Sequence, residues 1–454
     1  MNATRRGFLR GALGAVGLGV AGPIAYVKLK ELHDSTDFLP AAASPAPAGS
    51  ASAAPAVSVR PSGSPAVAAA SASGAARPVA ASGPAPRSLV VIQLAGGNDG
   101  LATVLPYADP SLKDARSTLD FTDDQLLKLT DQAALHPNMK GIKALWDQKK
   151  VAIVQGVGYP NPNRSHFASM DIWASASPDK PATSGWLGRY LDAAQLPSDN
   201  PFNATSIGTS LPFALRTQKT AVATVQDANT FTFRTDPRHP QDHQALMASF
   251  TSLYQRGPGG VPYYGLVEGI EGTAAKAADD LKSLSGAFHP AVQYPQTDLG
   301  RQLQNVAELM SGNFGTRIFY VSTSGFDTHA NEKTEHDRLM ATLSDAVSAF
   351  YQDLAARGQS QNVVMMTWSE FGRRVKENGS GGTDHGTAAP MFVIGDAVKG
   401  ALIGNQPSLT KVDSNGDLVF GIDFRAVYNT LLTKWLGMDG QEVLGAKFDV
   451  LPLF

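Results

Sequence analysis

The chain has 454 residues, with 38 Lys+Arg against 40 Asp+Glu, nine histidines and no cysteine. This balance excludes a nucleic-acid surface built on surplus cations. The lack of cysteine excludes disulfides, zinc–thiolate sites and thiol nucleophiles, leaving hydroxyls, carboxylates, histidines and bound metal ions to do any chemistry.

The N-terminus reads Thr4-Arg5-Arg6-Gly7-Phe8-Leu9-Arg10, followed by an uncharged stretch over 11–27 that contains five glycines. A basic start, paired arginines and a short glycine-rich apolar run predict a twin-arginine export signal over 1–33 rather than a transmembrane anchor. The expected partner is the twin-arginine translocase and the expected location the periplasm or cell envelope. The best small-residue cleavage site, Ala41-Ala42-Ala43, lies far downstream, and an uncleaved signal would tether the protein to the membrane. Over 40–86, 41 of 47 residues are Ala, Pro, Ser or Gly. That composition buries too little apolar surface to offset chain entropy, so 34–87 is predicted to be a disordered linker.

The remainder, 88–454, is predicted to be one α/β domain. Continuous apolar runs at 89–94, 151–154, 317–321, 363–366 and 391–394 have the pattern of strands buried on both faces. Leu339, Leu343, Val347, Phe350 and Leu354 are spaced by three and four, which predicts a helix over 332–356; Phe424, Val427, Leu431 and Trp435 form a second stripe. Strands alternating with such helices predict a mainly parallel sheet sandwiched by helices. The stretch 202–295 is less regular and reads as a cap or insertion.

In such sheets ligands bind beyond the carboxyl ends of the strands, and here those ends carry polar residues. Gly96-Gly97-Asn98-Asp99-Gly100 follows the first strand and Asn163-Arg164-Ser165-His166-Phe167 follows the second. The latter has a bland reading, with Ser165 a helix cap and His166 a surface residue, and a functional one, a hydroxyl at an anion-attracting helix start. Asp327 and His329 follow the third strand; Glu370, Arg373 and Arg374 follow the fourth; Asp384 and His385 precede the fifth. Each segment alone is ordinary loop chemistry. Together they set Asp99, Ser165, Asp327, His329, Glu370, Asp384 and His385 along one sheet edge, a donor set suited to Zn²⁺, Mn²⁺ or a mixed pair of ions. One or two such ions would activate the Ser165 hydroxyl, with Arg164 or Arg373 as a clamp for an anionic group.

Six segments then carry a family resemblance: LAGGNDG (94–100), NRSHF (163–167), GWLGRYLD (185–192), GFDTH (325–329), SEFGRR (369–374) and GTDHGTAAPMFVIG (382–395). In this order they resemble the bacterial family called domain of unknown function 1501, which is in turn similar to the alkaline phosphatase and sulfatase superfamily. The resemblance implies an alkaline phosphatase-like fold. It also implies metal roles for Asp99, Asp327, His329 and His385 and a nucleophile's position for Ser165, while the ligand beside them falls on either Glu370 or Asp384. The superfamily's Asp-x-x-x-His spacing is Asp-x-His here, and the sulfatase pattern of Cys or Ser with Pro and Arg is absent around Ser165. The expected function is an exported metal-dependent hydrolase of phosphoester-type or related ester bonds. The alternative is a non-catalytic exported binding or assembly protein that keeps the fold.

Overall fold

A computed structural model describes residues 86–197, 200–227, 281, 284 and 287–454. The expected signal, the linker up to residue 85 and two histidines of the irregular stretch, His239 and His243, lie outside these. The main sheet has nine strands: β1 (Ser88–Ala95), β2 (Val151–Gly158), β3 (Ala204–Ile207), β4 (Ala223–Val225), β5 (Ile318–Ser324), β6 (Val363–Trp368), β7 (Ala389–Ile394), β8 (Leu402–Ile403) and β9 (Ile422–Asp423). Eight follow one another in the order β8-β2-β7-β6-β1-β5-β3-β4, and β9 pairs with β2. Every pairing is parallel except those of β7, which runs antiparallel to β2 and β6. The fold is therefore the expected α/β sandwich with a mainly parallel sheet. The start of the irregular stretch does not cap it, because β3 and β4 extend the sheet edge.

Period-two alternation divides the apolar runs between two cores. Val90, Ile92 and Leu94 of β1 face one layer, where α2 (Lys140–Asp147), α5 (Asp298–Ser311) and α6 (Glu332–Ala356) pack. Leu89 and Val91 face the other, formed by α3 (His166–Ser175), α4 (Trp186–Ala193) and α7 (Phe424–Thr430). The stripe from Leu339 to Leu354 is buried along α6, as its spacing requires. No helix among the described residues is long and apolar enough to cross a membrane.

The direction of β7 decides where function can collect. Because it runs against its neighbours, its first residues lie at the edge where β1, β2, β5 and β6 end. A short hairpin of Arg373–Glu377 with Thr383–His385, in which Arg373 faces His385, therefore delivers Asp384 and His385 to that edge.

Candidate metal centre

Three imidazoles and one carboxylate converge beyond the strand ends. His166 is the first residue of α3, and a side chain in a helix's first turn leans back past the N-terminus. Its Nε2 lies 3.5 Å from Asp327 Oδ2. His385 Nε2 lies 3.1 Å from Asp327 Oδ1 and 2.9 Å from His329 Nε2. His329 Nε2 is in turn 3.1 Å from Asp327 Oδ1. One donor atom from each of His166, Asp327 and His385 falls within 4.8 Å of the others.

The far nitrogens explain why the near ones face inward. His166 Nδ1 meets Glu370 Oε1 at 2.8 Å, His385 Nδ1 meets the Arg164 carbonyl at 2.9 Å, and His329 Nδ1 faces Asp384 Oδ1 at 3.4 Å. All three partners only accept, so each ring carries its proton on Nδ1 and presents an Nε2 lone pair to the centre. Two such lone pairs 2.9 Å apart repel unless a proton or cation lies between them. His166 Nε2 is moreover buried with no hydrogen-bond partner. An orphaned imidazole nitrogen, two opposed lone pairs and a carboxylate are what a divalent ion satisfies, and three nitrogens with one oxygen suit Zn²⁺ or Mn²⁺. Burial opposes ionisation of Asp327, but the hydrogen bond and charge of Arg373 outweigh it and hold the carboxyl at about 2. It is thus ionised throughout the physiological range. Burial lowers the His385 pKa, against the opposing pull of Asp327, which favours the neutral ring that a ligand must be.

The loops carrying these residues are held by Arg373, which is fully buried. Its guanidinium donates to the carbonyls of Gly97 (2.7 Å), Thr383 (2.9 Å), Phe326 (2.9 Å) and Gly96, and to Asp327 Oδ1 (2.8 Å). The turn after β1 closes over it through two glycines in the left-handed region, φ +123° and +77°. A Cβ at Gly96 would stand 2.5 Å from the Asp327 nitrogen, and one at Gly97 would stand 2.2 Å from the Phe371 ring that backs His166 and His385.

The residues singled out by sequence divide accordingly. Asp327, His329 and His385 meet at the centre, with Asp384 and Glu370 behind them. Glu370, fully buried, spends Oε1 on His166 and on the Gly96 N–H at 2.9 Å; Asp384, half exposed, accepts from Asn378 and faces His329. Neither points at the convergence, so both are reassigned from ligand to supporting acceptor. Arg373 is reassigned from anion clamp to strut, because its donors are committed to the loop backbone. Arg164 pairs with the buried carboxylate of Asp417 at 3.1 Å and keeps about a third of its side chain exposed. Ser165 is exposed, stands as the N-cap of α3 and makes no capping hydrogen bond with its hydroxyl.

Asp99 does not join them. It is fully buried, its Oδ1 caps Gly100–Thr103 by accepting from Leu101 and Ala102, and its Oδ2 pairs with Arg116. Both oxygens are spent and a guanidinium occupies the side where a cation would sit. Asp99 belongs instead to a buried knot with Glu332, Thr103 and His336. Glu332 Oε2 accepts the Thr383 hydroxyl at 2.6 Å, while its Oε1 has no hydrogen-bond partner. With Asp99 ionised beside it, Glu332 is the carboxyl that keeps its proton. Burial, then the charge of Asp99, pushes the Glu332 carboxyl up to about 9. Among the described residues one group of metal donors assembles rather than two.

His166 is the candidate ligand that the sequence alone leaves as a surface residue. Its signal was the register of α3: the residue after an N-cap points toward the helix start, where the hydroxyl of Ser165 had already been placed.

No curated protein matches the chain by sequence. Solved structures similar to it include Ps i-CgsB, at 8% identity and TM-score 0.33 over 80% of this chain and 73% of that one. They also include the PsFucS1 sulfatase from Pseudoalteromonas sp., at 11% and 0.34 over 80% and 68%. The alkaline phosphatase from the Antarctic bacterium TAB5 matches at 12% and 0.27 over 68% and 92%. The family model described as protein of unknown function (DUF1501) matches residues 86–446, and the chain belongs to that family.

Proposed function

We propose that the chain is an exported metal-dependent hydrolase of phosphoester-type or related ester bonds, working at the centre formed by His166, Asp327, His329 and His385. The observation that carries this reading is the arrangement of the three imidazoles, each with Nδ1 held by an acceptor and Nε2 turned toward one carboxylate. A divalent ion held there supplies positive charge that polarises an ester oxygen and acidifies a nearby hydroxyl. Ser165 provides that hydroxyl as the nucleophile. The unpaired N–H groups of the first turn of α3 face charge developing on the ester. Arg164, partly exposed beside Ser165, holds an anionic group of the substrate. Glu370, Asp384 and the Arg164 carbonyl hold the imidazoles in orientation, with Nε2 aimed at the centre. The first residues carry the export signal, which directs the protein to the periplasm or cell envelope through the twin-arginine translocase and, if uncleaved, tethers it to the membrane.

The test is elemental analysis of protein purified from the exported fraction, with assays on chromogenic phosphate, sulfate and carboxylic esters. About one Zn or Mn per chain is expected, lost in His166→Ala with His385→Ala, together with ester hydrolysis that Ser165→Ala abolishes without loss of metal. A stable protein that takes up no divalent ion would overturn the reading. Bound metal with no turnover on any ester would favour the binding role.

A further inference from the structure

We propose that the open groove beside the metal centre binds a neutral, hydroxyl-rich chain, an oligosaccharide, with Phe167 as the platform on which a sugar ring stacks. The proposal rests on the hydrolase reading above and names the class of molecule that carries the scissile ester.

The groove has a volume of about 1580 Å³, beyond the roughly 300–1,000 Å³ of a pocket for one small molecule, so its shape suits several linked units. Two of its lining residues are chain neighbours of residues at the centre. Phe167 follows the ligand His166 on α3, and Ser324 ends β5 three residues before Asp327. Its charge excludes a polyanion. The arginines that line it, Arg301 and Arg338, are already paired with Asp298 and Glu335, and no lysine lines it. The carboxylates of Asp171, Asp227, Asp298 and Glu308 also line it, and beside them stand uncommitted neutral polar groups. The hydroxyls of Thr323, Ser324 and Thr342 and the amide of Gln304 line the groove and make no hydrogen bond among the described residues. Vicinal sugar hydroxyls, each donor and acceptor at once, match such groups. Phe167 supplies the apolar partner. It is 83% exposed, while the only other exposed large hydrophobic side chains among the described residues are Val419 and Val450, each about half exposed. A flat aromatic face open to solvent beside hydroxyl-lined walls fits the C–H face of a pyranose ring, whose opposite edges carry the hydroxyls.

The experiment is affinity electrophoresis of the full chain in native gels cast with dextran, xylan, hydroxyethylcellulose or galactomannan, with dextran sulfate and with no polymer. At least one neutral polymer is expected to retard the protein, with or without chelator in the gel, and dextran sulfate is not. Phe167→Ala is expected to weaken that retardation five-fold or more with metal content and melting temperature unchanged, and Phe167→Trp to retain it. No retardation by any neutral polymer, retardation by dextran sulfate alone, or retardation indifferent to Phe167→Ala overturns the proposal. Small chromogenic esters separate the two claims: hydrolysis without polymer binding refutes the groove assignment alone, and polymer binding without metal or hydrolysis refutes the hydrolase reading alone.

Discussion

Replacing Glu332 by Gln should change how stability depends on pH more than it changes the shape of the fold. The folded carboxyl lies at about 9 against its usual 4.5. Between those values the folded chain keeps a proton that the unfolded chain has released, so stability falls as pH rises, by about 1.4 kcal/mol per unit. Two buried histidines act in the opposite sense. Burial lowers His336 to about 3 and, against the pull of Asp337, His136 to about 4. Up to pH 6.5 the unfolded chain therefore binds protons that these folded rings refuse, and stability rises with pH. Together the three groups put the maximum near pH 6.5, followed by a loss of about 2.7 kcal/mol by pH 8.5 from Glu332 alone. In Glu332→Gln the amide oxygen can still accept from Thr383 and the amide nitrogen can donate to Asp99, with no proton left to lose. Urea midpoints measured with chelator at half-unit steps from pH 6 to 9 should fall in the parent and stay level in the variant, the difference cancelling surface titration. Curves that decline in parallel would show that Glu332 is ionised in the folded state and would refute the reasoning.

Three further outcomes follow from the geometry. Glu370→Ala should leave His166 free to rotate and weaken metal affinity by about 10–100-fold, measured by competition with a fluorescent chelator; affinity unchanged would mean that Glu370 does not orient the ring. Arg373→Met should cost about 3–5 kcal/mol, since four carbonyls and one carboxylate lose a buried partner, and a melting temperature within a degree of the parent would contradict the strut role. Gly97→Ala should lower stability by roughly 1–3 kcal/mol, through a strained φ of +77° and a clash with Phe371, with metal binding falling as that ring shifts; chemical denaturation and metal titration together test it.

The sheet was legible because buried strands announce themselves as unbroken apolar runs, and all five expected runs lie within β1, β2, β5, β6 and β7 or, for 317–321, begin one residue before the strand. The helix over 332–356 was legible for the same reason, its apolar spacing. The direction of β7 was not, because alternation of side chains is identical whichever way a strand runs; only pairing with β2 and β6 reveals it. In the site, residue type was visible and residue role was not. A carboxylate at a strand end has the same spelling whether it meets a cation or the N–H of an imidazole, which is how Glu370 and Asp384 came to be read as ligands. Arg373 has the sequence context of an anion clamp, and nothing local says that backbone carbonyls from three separate loops surround it. For Asp99 the ordinary loop reading is the nearer one, since its side chain caps the helical turn that follows.

The guanidinium that ties Gly96, Gly97, Phe326 and Thr383 together has a consequence for assembly. An arginine is charged at every accessible pH, so the backbone around the centre is cast by a permanent internal charge and needs no bound ion to take its shape. On the proposed reading, a metal enters a site already shaped, and the choice of ion falls to the surroundings rather than to the folding reaction.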